Sequence, residues 1–274
     1  NNNKLTDLKG LEKLTQLTWL SLRGNQLTSV KGLEKLTQLE ELSLEKNKLT
    51  EIPKDLEKLT QLTWLWLGDN QLTSVKGLDK LTTLESLDLH KNQLTDVKGL
   101  ENLTQLKMLD LDENQLTEIP KELEKLTTLE SLSLNNNKLT DLKGLEKLTQ
   151  LIWLDLNNNK LTDLKGLEKL TELQGLELNN NKLSVVPKSL GKLMKLEVLI
   201  LIDCELTDVK DLEKLTQLTN LYLSGNELTD VKGLENLTQL KHLNLQDNPD
   251  LTKAQIAELQ KALPNCTIIG NPTK

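Results

Sequence analysis

The sequence predicts a solenoid, a chain wound into many similar short coils stacked on one another, and three observations carry that prediction. The pattern LxxLxxLxLxxN recurs eleven times, with first leucines at Leu14, Leu36, Leu59, Leu81, Leu103, Leu126, Leu148, Leu170, Leu193, Leu215 and Leu237. Apolar content is spent narrowly: 36% of residues are hydrophobic, yet there is no Phe, one Tyr and two Met. The array then closes on an unlike segment, NPDLTKAQIAELQKALPNCTIIGNPTK. Self-similarity at a fixed period, with a divergent last unit, is the signature of a stack whose end must be covered.

Each element of the coil has a physical reason. Leu20 and Leu22 have the period-two spacing that places both on one face of an extended strand, Leu20-Ser21-Leu22. Leu14, Leu17, Leu27, Val30 and Leu33 line the rest of the coil. Asn25 and its equivalents at Asn47, Asn70, Asn92, Asn114, Asn137, Asn159, Asn181, Asn226 and Asn248 fit a ladder in which a buried amide bonds the backbone of neighbouring coils. Cys204 takes that place in the ninth copy and reads as a small buried thiol, not a nucleophile. Pro53, Pro120 and Pro187 recur every 67 residues in the 23-residue copies, which marks duplication of three-copy blocks, each Pro fixing a turn.

The two ends differ. The opening NNNKLTDLKGLEKLTQL is identical to residues 135–151, so residue 1 falls inside a copy and residues 1–13 read as a partial N-terminal repeat, with the natural N-terminus missing and Leu5, Leu8 and Leu11 exposed. At the other end Thr252 and Gln255 form a capping box, Ile256, Leu259 and Leu263 share a helix face, and Pro264 stops the helix. The expected organisation is therefore 1–13, a partial repeat; 14–248, eleven repeats; and 249–274, a C-terminal helical cap.

The KGLxxLTxLxxLxLxxNxL block resembles the leucine-rich repeat family, in the bacterial type with 22- and 23-residue repeats that includes the internalins, and is also similar to a cytosolic phosphatase-regulator type. The resemblance implies an α/β solenoid, a leucine-rich repeat horseshoe with a concave parallel β-sheet and a convex side built mostly of turns and short helices. The paired-cysteine caps of extracellular eukaryotic members are missing, which favours a bacterial or intracellular protein.

Composition narrows the function. A net charge of −7 disfavours nucleic acid and anionic membrane surfaces as partners. No apolar run is long enough to insert in a membrane. Neither a metal-ligand spacing of His and Cys nor a GxGxxG, Walker or HExxH motif is present, so no cofactor, resident metal or enzymatic activity is expected. His90 and His242 stand seven copies apart and cannot share a site.

Aligning the copies with one another isolates the variable positions. Framework columns hardly change, whereas the three columns alternating with the strand leucines do, and these must point out of the sheet. Both histidines, the only arginine and all five aromatics fall there. Random placement would put five aromatics in these columns with a probability of roughly 2 in 100,000. Tryptophan, tyrosine and arginine dominate binding hot spots, so the face reads as an interaction site.

The expected partner-binding residues are Trp19, Arg23, Trp64 and Trp66 in copies one to three, and Trp153, Val198, Ile200, Ile202, Tyr222 and His242 in copies seven to eleven. Asp88, His90, Asp110 and Asp112, with Asp155 beside Trp153, supply a mostly acidic stretch between the two patch centres. Asp88, His90, Asp110 and Asp112 could meet a cation, but such residues on a solvated strip are ordinarily just hydrated.

The leading reading is a non-enzymatic module that binds a macromolecular, protein partner through its concave face, the partner carrying basic residues opposite the acidic stretch. The alternatives are carbohydrate or cell-wall glycan binding by the Trp cluster, a cytosolic regulatory scaffold, and a homodimer through the same face. A secreted or bacterial cell-surface location is favoured over a cytoplasmic one.

Overall fold

A computed structural model describes residues 1–270 and divides into two compact units, Asn1–Asn137 and Lys138–Lys274. In the first unit six three-residue strands run parallel: β1 (Trp19–Ser21), β2 (Glu41–Ser43), β3 (Trp64–Trp66), β4 (Ser86–Asp88), β5 (Met108–Asp110) and β6 (Ser131–Ser133). In the second come β7 (Trp153–Asp155), β8 (Gly175–Glu177), β9 (Val198–Ile200), β10 (Asn220–Tyr222), β11 (His242–Asn244) and β12 (Thr267–Ile269). Within each unit consecutive strands pair in order and in register, the central leucine of one beside that of the next as far as β11, whose Leu243 then lies beside Ile268 of β12.

Both units are solenoids of the predicted class. The strand starts one residue earlier than LxL, so the third variable column lies just beyond it. Its register still continues, because the second leucine donates its N–H to the next coil, as from Leu22 to the Ser43 carbonyl at 2.8 Å. The strand, coil and turn leucines of every complete copy from Leu36 onward are almost wholly buried.

The opposite side is made of 3₁₀ turns, and the sequence explains their two kinds. Where KGL occurs, a glycine such as Gly32, Gly99 or Gly166 takes a left-handed φ of 102 to 109° before a three-residue turn. Few other residues adopt that conformation. Where Pro53, Pro120 or Pro187 stands instead, the backbone stays extended and the turn lengthens to five residues. Asp211 replaces the glycine in the ninth copy, and that copy also takes the five-residue path, Lys210–Lys214, without a proline.

The asparagine ladder is present. Asn70 accepts the Leu49 N–H at 3.0 Å and donates to the carbonyls of Leu44, Leu67 and Gly68 at 3.0 to 3.3 Å. Cys204 cannot accept in this way. There the Leu183 and Ser184 N–H groups turn to the Cys204 carbonyl, and Ser184 and Glu205 take left-handed φ values of 46 and 63°. The thiol itself donates to the Leu178 carbonyl at 3.2 Å, and burial pushes it up to about 11, far from a nucleophile's range.

At the ends two sequence expectations are amended. Leu8 is buried, while Leu5 and Leu14 are exposed; the partial first copy is laid on the next one, with the Leu5 N–H on Asn25 Oδ1 and the Leu5 carbonyl accepting from Gln26. The cap has its helix, α1 (Lys253–Ala262), with both bonds of the Thr252–Gln255 capping box. It also adds β12 beside β11, where no LxxL frame marks a strand. Residues 271–274 of the expected cap lie outside the described residues. No helix among the described residues is long and apolar enough to cross a membrane.

Candidate functional site

In the first unit the alternation of β3 sends Leu65 into the core and both neighbours to the opposite face, where the Trp64 and Trp66 rings pack 5.7 Å apart, tilted by 31°. They are half-buried, supported by each other and by the adjoining strands. Trp19 stands two strands away and is 57% exposed. Arg23 is engaged within the chain: its guanidinium donates to both carboxylate oxygens of Glu45, at 2.8 and 2.9 Å, and Glu45 is only 8% exposed. Beyond them Gly68 leaves room for the His90 ring, which lies where any Cβ on Gly68 would stand.

His90 Nδ1–H donates to Asp88 Oδ1 at 2.7 Å, and this bond raises the imidazole above its usual range. One donor atom each from Glu45, Asp88 and His90 lies within 4.8 Å of the others, the span of a single cation. Arg23 and the His90–Asp88 bond already use those atoms, which explains the cluster as an ion-pair network. Asp110 and Asp112 follow on the same face. Asp112 accepts from the Ser133 hydroxyl and, at 2.7 Å, from the Asn135 N–H. Asp110 accepts the Asp112 N–H at 2.9 Å. Burial, and then the charge of Asp112, pushes the Asp110 carboxyl up to about 6.

In the second unit Trp153 is 37% exposed, and its ring lies over Gly175, again where a Cβ would stand. The first column then continues to Val198, and the second runs from Asp155 through Glu177 to Ile200 and Tyr222. These last three apolar residues are half-buried, as is Ile202. Asn157 links the columns, donating to Glu177 at 2.7 Å and accepting the Asn179 N–H at 2.7 Å. His242 is exposed on β11, beside Asn220 and Thr267, apart from the apolar cluster.

The profile of Leucine Rich repeats (2 copies) matches residues 15–58, 60–102, 104–147, 149–193 and 216–261. The chain belongs to the leucine-rich repeat family. Among solved structures this leucine-rich repeat protein is similar to an internalin, InlF, from Listeria monocytogenes, at 30% identity and TM-score 0.78, covering 100% of this chain and 85% of that one. A leucine-rich repeat protein of Leptospira interrogans matches at 31% identity and TM-score 0.70, covering 98% and 82%. The functional domain of InlJ from Listeria monocytogenes matches at 26% and 0.82, covering 98% and 61%. Comparison with curated proteins found no match.

Inspection of single columns in a leucine-rich repeat misses residues that matter only through their neighbours. Glu45 neutralises Arg23 from the next copy; Gly68 and Gly175 are berths for His90 and Trp153; Met108, 38% exposed, stands two strands from Trp64 with buried Ser86 between them. The signal available was a small letter in a variable column beside a large one.

The raised Asp110 carboxyl has a thermodynamic sign. An unfolded chain ionises it near 3.8 and the folded chain near 6, so folding loses stability as pH climbs from about 4 to 6 and keeps that loss above. Partial solvation limits the loss to the order of 1–2 kcal/mol. His90 acts in the same direction, since its raised value contributes stability below about pH 6.5 that disappears at higher pH. Asp110→Asn keeps the acceptor for the Asp112 N–H and removes the charge. Thermal melts in a pH series should show its midpoint about 3 °C above wild type at pH 7.5 and level with it near pH 4; equal midpoints at both would show that Asp110 is solvated.

Proposed function

We propose that this chain is a non-enzymatic module that binds a protein partner through the concave, core-distant face of its strands. The observation carrying the reading is the placement of every aromatic residue on that face while the framework repeats unchanged, with Trp64 and Trp66 held together on one short strand. Rigid, half-buried indoles present apolar area at little entropic cost, which is why tryptophan anchors interfaces. The carboxylates beside them call for a basic partner surface. A secreted or bacterial-surface location goes with this reading, in keeping with its similarity to an internalin.

The test is Trp64→Ala with Trp66→Ala. Partner captured from host-cell lysate by wild type should bind the variant more weakly by about 2 kcal/mol or more, with the melting midpoint nearly unchanged. A fall in midpoint like that of a core leucine substitution overturns the outward reading. Sedimentation of both proteins reveals whether the partner is a second copy of the chain.

One observation supports a glycan as a second reading. Trp153 offers a flat exposed indole over Gly175, flanked by hydrogen-bonding Asp155 and Glu177, a surface suited to stacking on a sugar ring. A glycan array with wild type and Trp153→Ala separates the two ligands.

A further inference from the structure

Between β3 and β5 the first column drops from a large residue to a small one and rises again. Trp64 is followed by Ser86 and then Met108, in register on neighbouring strands. Ser86, small and 8% exposed, is thus the low step between an indole and a thioether chain, a notch defined by the sizes of the three side chains. Adjacent strands lie about 4.8 Å apart, so the walls stand roughly 10 Å apart at the backbone, room for one unbranched side chain. Along one side of the notch, two residues on, run Trp66, Asp88 and Asp110.

We propose that this notch receives a single lysine or arginine side chain of the protein ligand, its aliphatic stem between Trp64 and Met108 and its cationic head on Asp88 and Asp110. This rests on the concave-face reading and specifies its partner. A purely apolar side chain would fill the notch but cover two carboxylates that bond the described residues through Oδ1 only, His90 on Asp88 and the Asp112 N–H on Asp110, with nothing to replace the water on the second oxygen of each, which is costly. An acidic one would be repelled. A long stem ending in a cation matches both the apolar walls and the charged flank, and its head can also lie against the Trp66 ring.

The experiment is selection of a random peptide library on the whole chain, followed by binding of the enriched synthetic peptides. Expected peptides carry an Arg or Lys beside apolar residues, bind only when Trp64 and Trp66 are present, and lose about tenfold or more in affinity when that Arg is replaced by citrulline. The same loss should follow from Asp88→Asn with Asp110→Asn, which keeps the acceptors of the local hydrogen bonds, and from Ser86→Leu, which fills the notch and leaves every charge in place. Peptides that depend on Trp64 and Trp66 but are indifferent to citrulline, or to both sets of substitutions, overturn the basic-side-chain assignment and leave the concave-face reading standing. Peptides that bind equally well without Trp64 and Trp66, or no enrichment at all, overturn both.

Discussion

Asn70→Ala should destabilise the first unit by about 3 kcal/mol without touching the outward face of the strands. The substitution removes an amide that is fully used: its oxygen takes the Leu49 N–H and its nitrogen serves three carbonyls, two of them in its own copy and one in the copy before. Leu49 is buried, so its N–H has no access to water, and an orphaned buried donor costs about 1–3 kcal/mol by itself. The carbonyls of Leu44 and Leu67 lose a donor as well, although each retains a second lone pair. Urea denaturation reads the loss directly. Asn70→Cys should be the milder change, because the ninth copy shows how a coil adapts to cysteine: the peptide carbonyl takes the stranded N–H groups and two residues enter left-handed backbone. If Asn70→Ala melted with wild type, the ladder would be decoration on a stack held by leucine alone.

Leu65→Ala should cost about as much, roughly 3 kcal/mol, for a different reason. Leu65 is 1% exposed and lies between Leu42 and Leu87 in the leucine column of the sheet, so truncation leaves a cavity that fixed neighbours on both sides cannot fill. A repeat array makes contact mainly between adjacent coils, so the damage should stay local. Amide exchange should accelerate at Leu42, Leu65 and Leu87 and remain slow at Leu132 in β6. Uniform acceleration across the unit would mean that its copies unfold as one. The comparison with the tryptophans on either side is the sharpest available: Leu65→Ala should weaken folding and the Trp64→Ala, Trp66→Ala pair the proposed binding, although the three residues are consecutive.

That contrast also marks how far the sequence could be read. Alternation across Trp64-Leu65-Trp66 was legible because period two leaves no choice once the leucine is inside. The asparagine column and the helix cap were legible for similar reasons, each being a local pattern with a local cause. Three things were not. β12 lacks the leucine frame and forms because β11 offers it an edge. Arg23 looks like a free cation until Glu45, one copy on, is found holding it. Gly68 and Gly175 look like weak letters in a binding column until the rings of His90 and Trp153 are seen lying on them. All three are relations between coils, which a column read one letter at a time does not contain.

The recurrence of proline every 67 residues bears on the gene as well as on the turns. EIPKDLEKLTQL at residue 51 and EIPKELEKLTTL at residue 118 are nearly the same text, and a crossover between them would excise Lys54–Pro120 as one piece. The chain left behind would read on through EIPKEL, with its leucine and asparagine columns unbroken. Trp64, Trp66, Asp88, His90, Asp110 and Asp112 would all leave together. On the binding role proposed for these residues, a lineage carrying such a gene would discard or acquire a whole ligand preference in a single recombination, with no intermediate that has to learn to fold again.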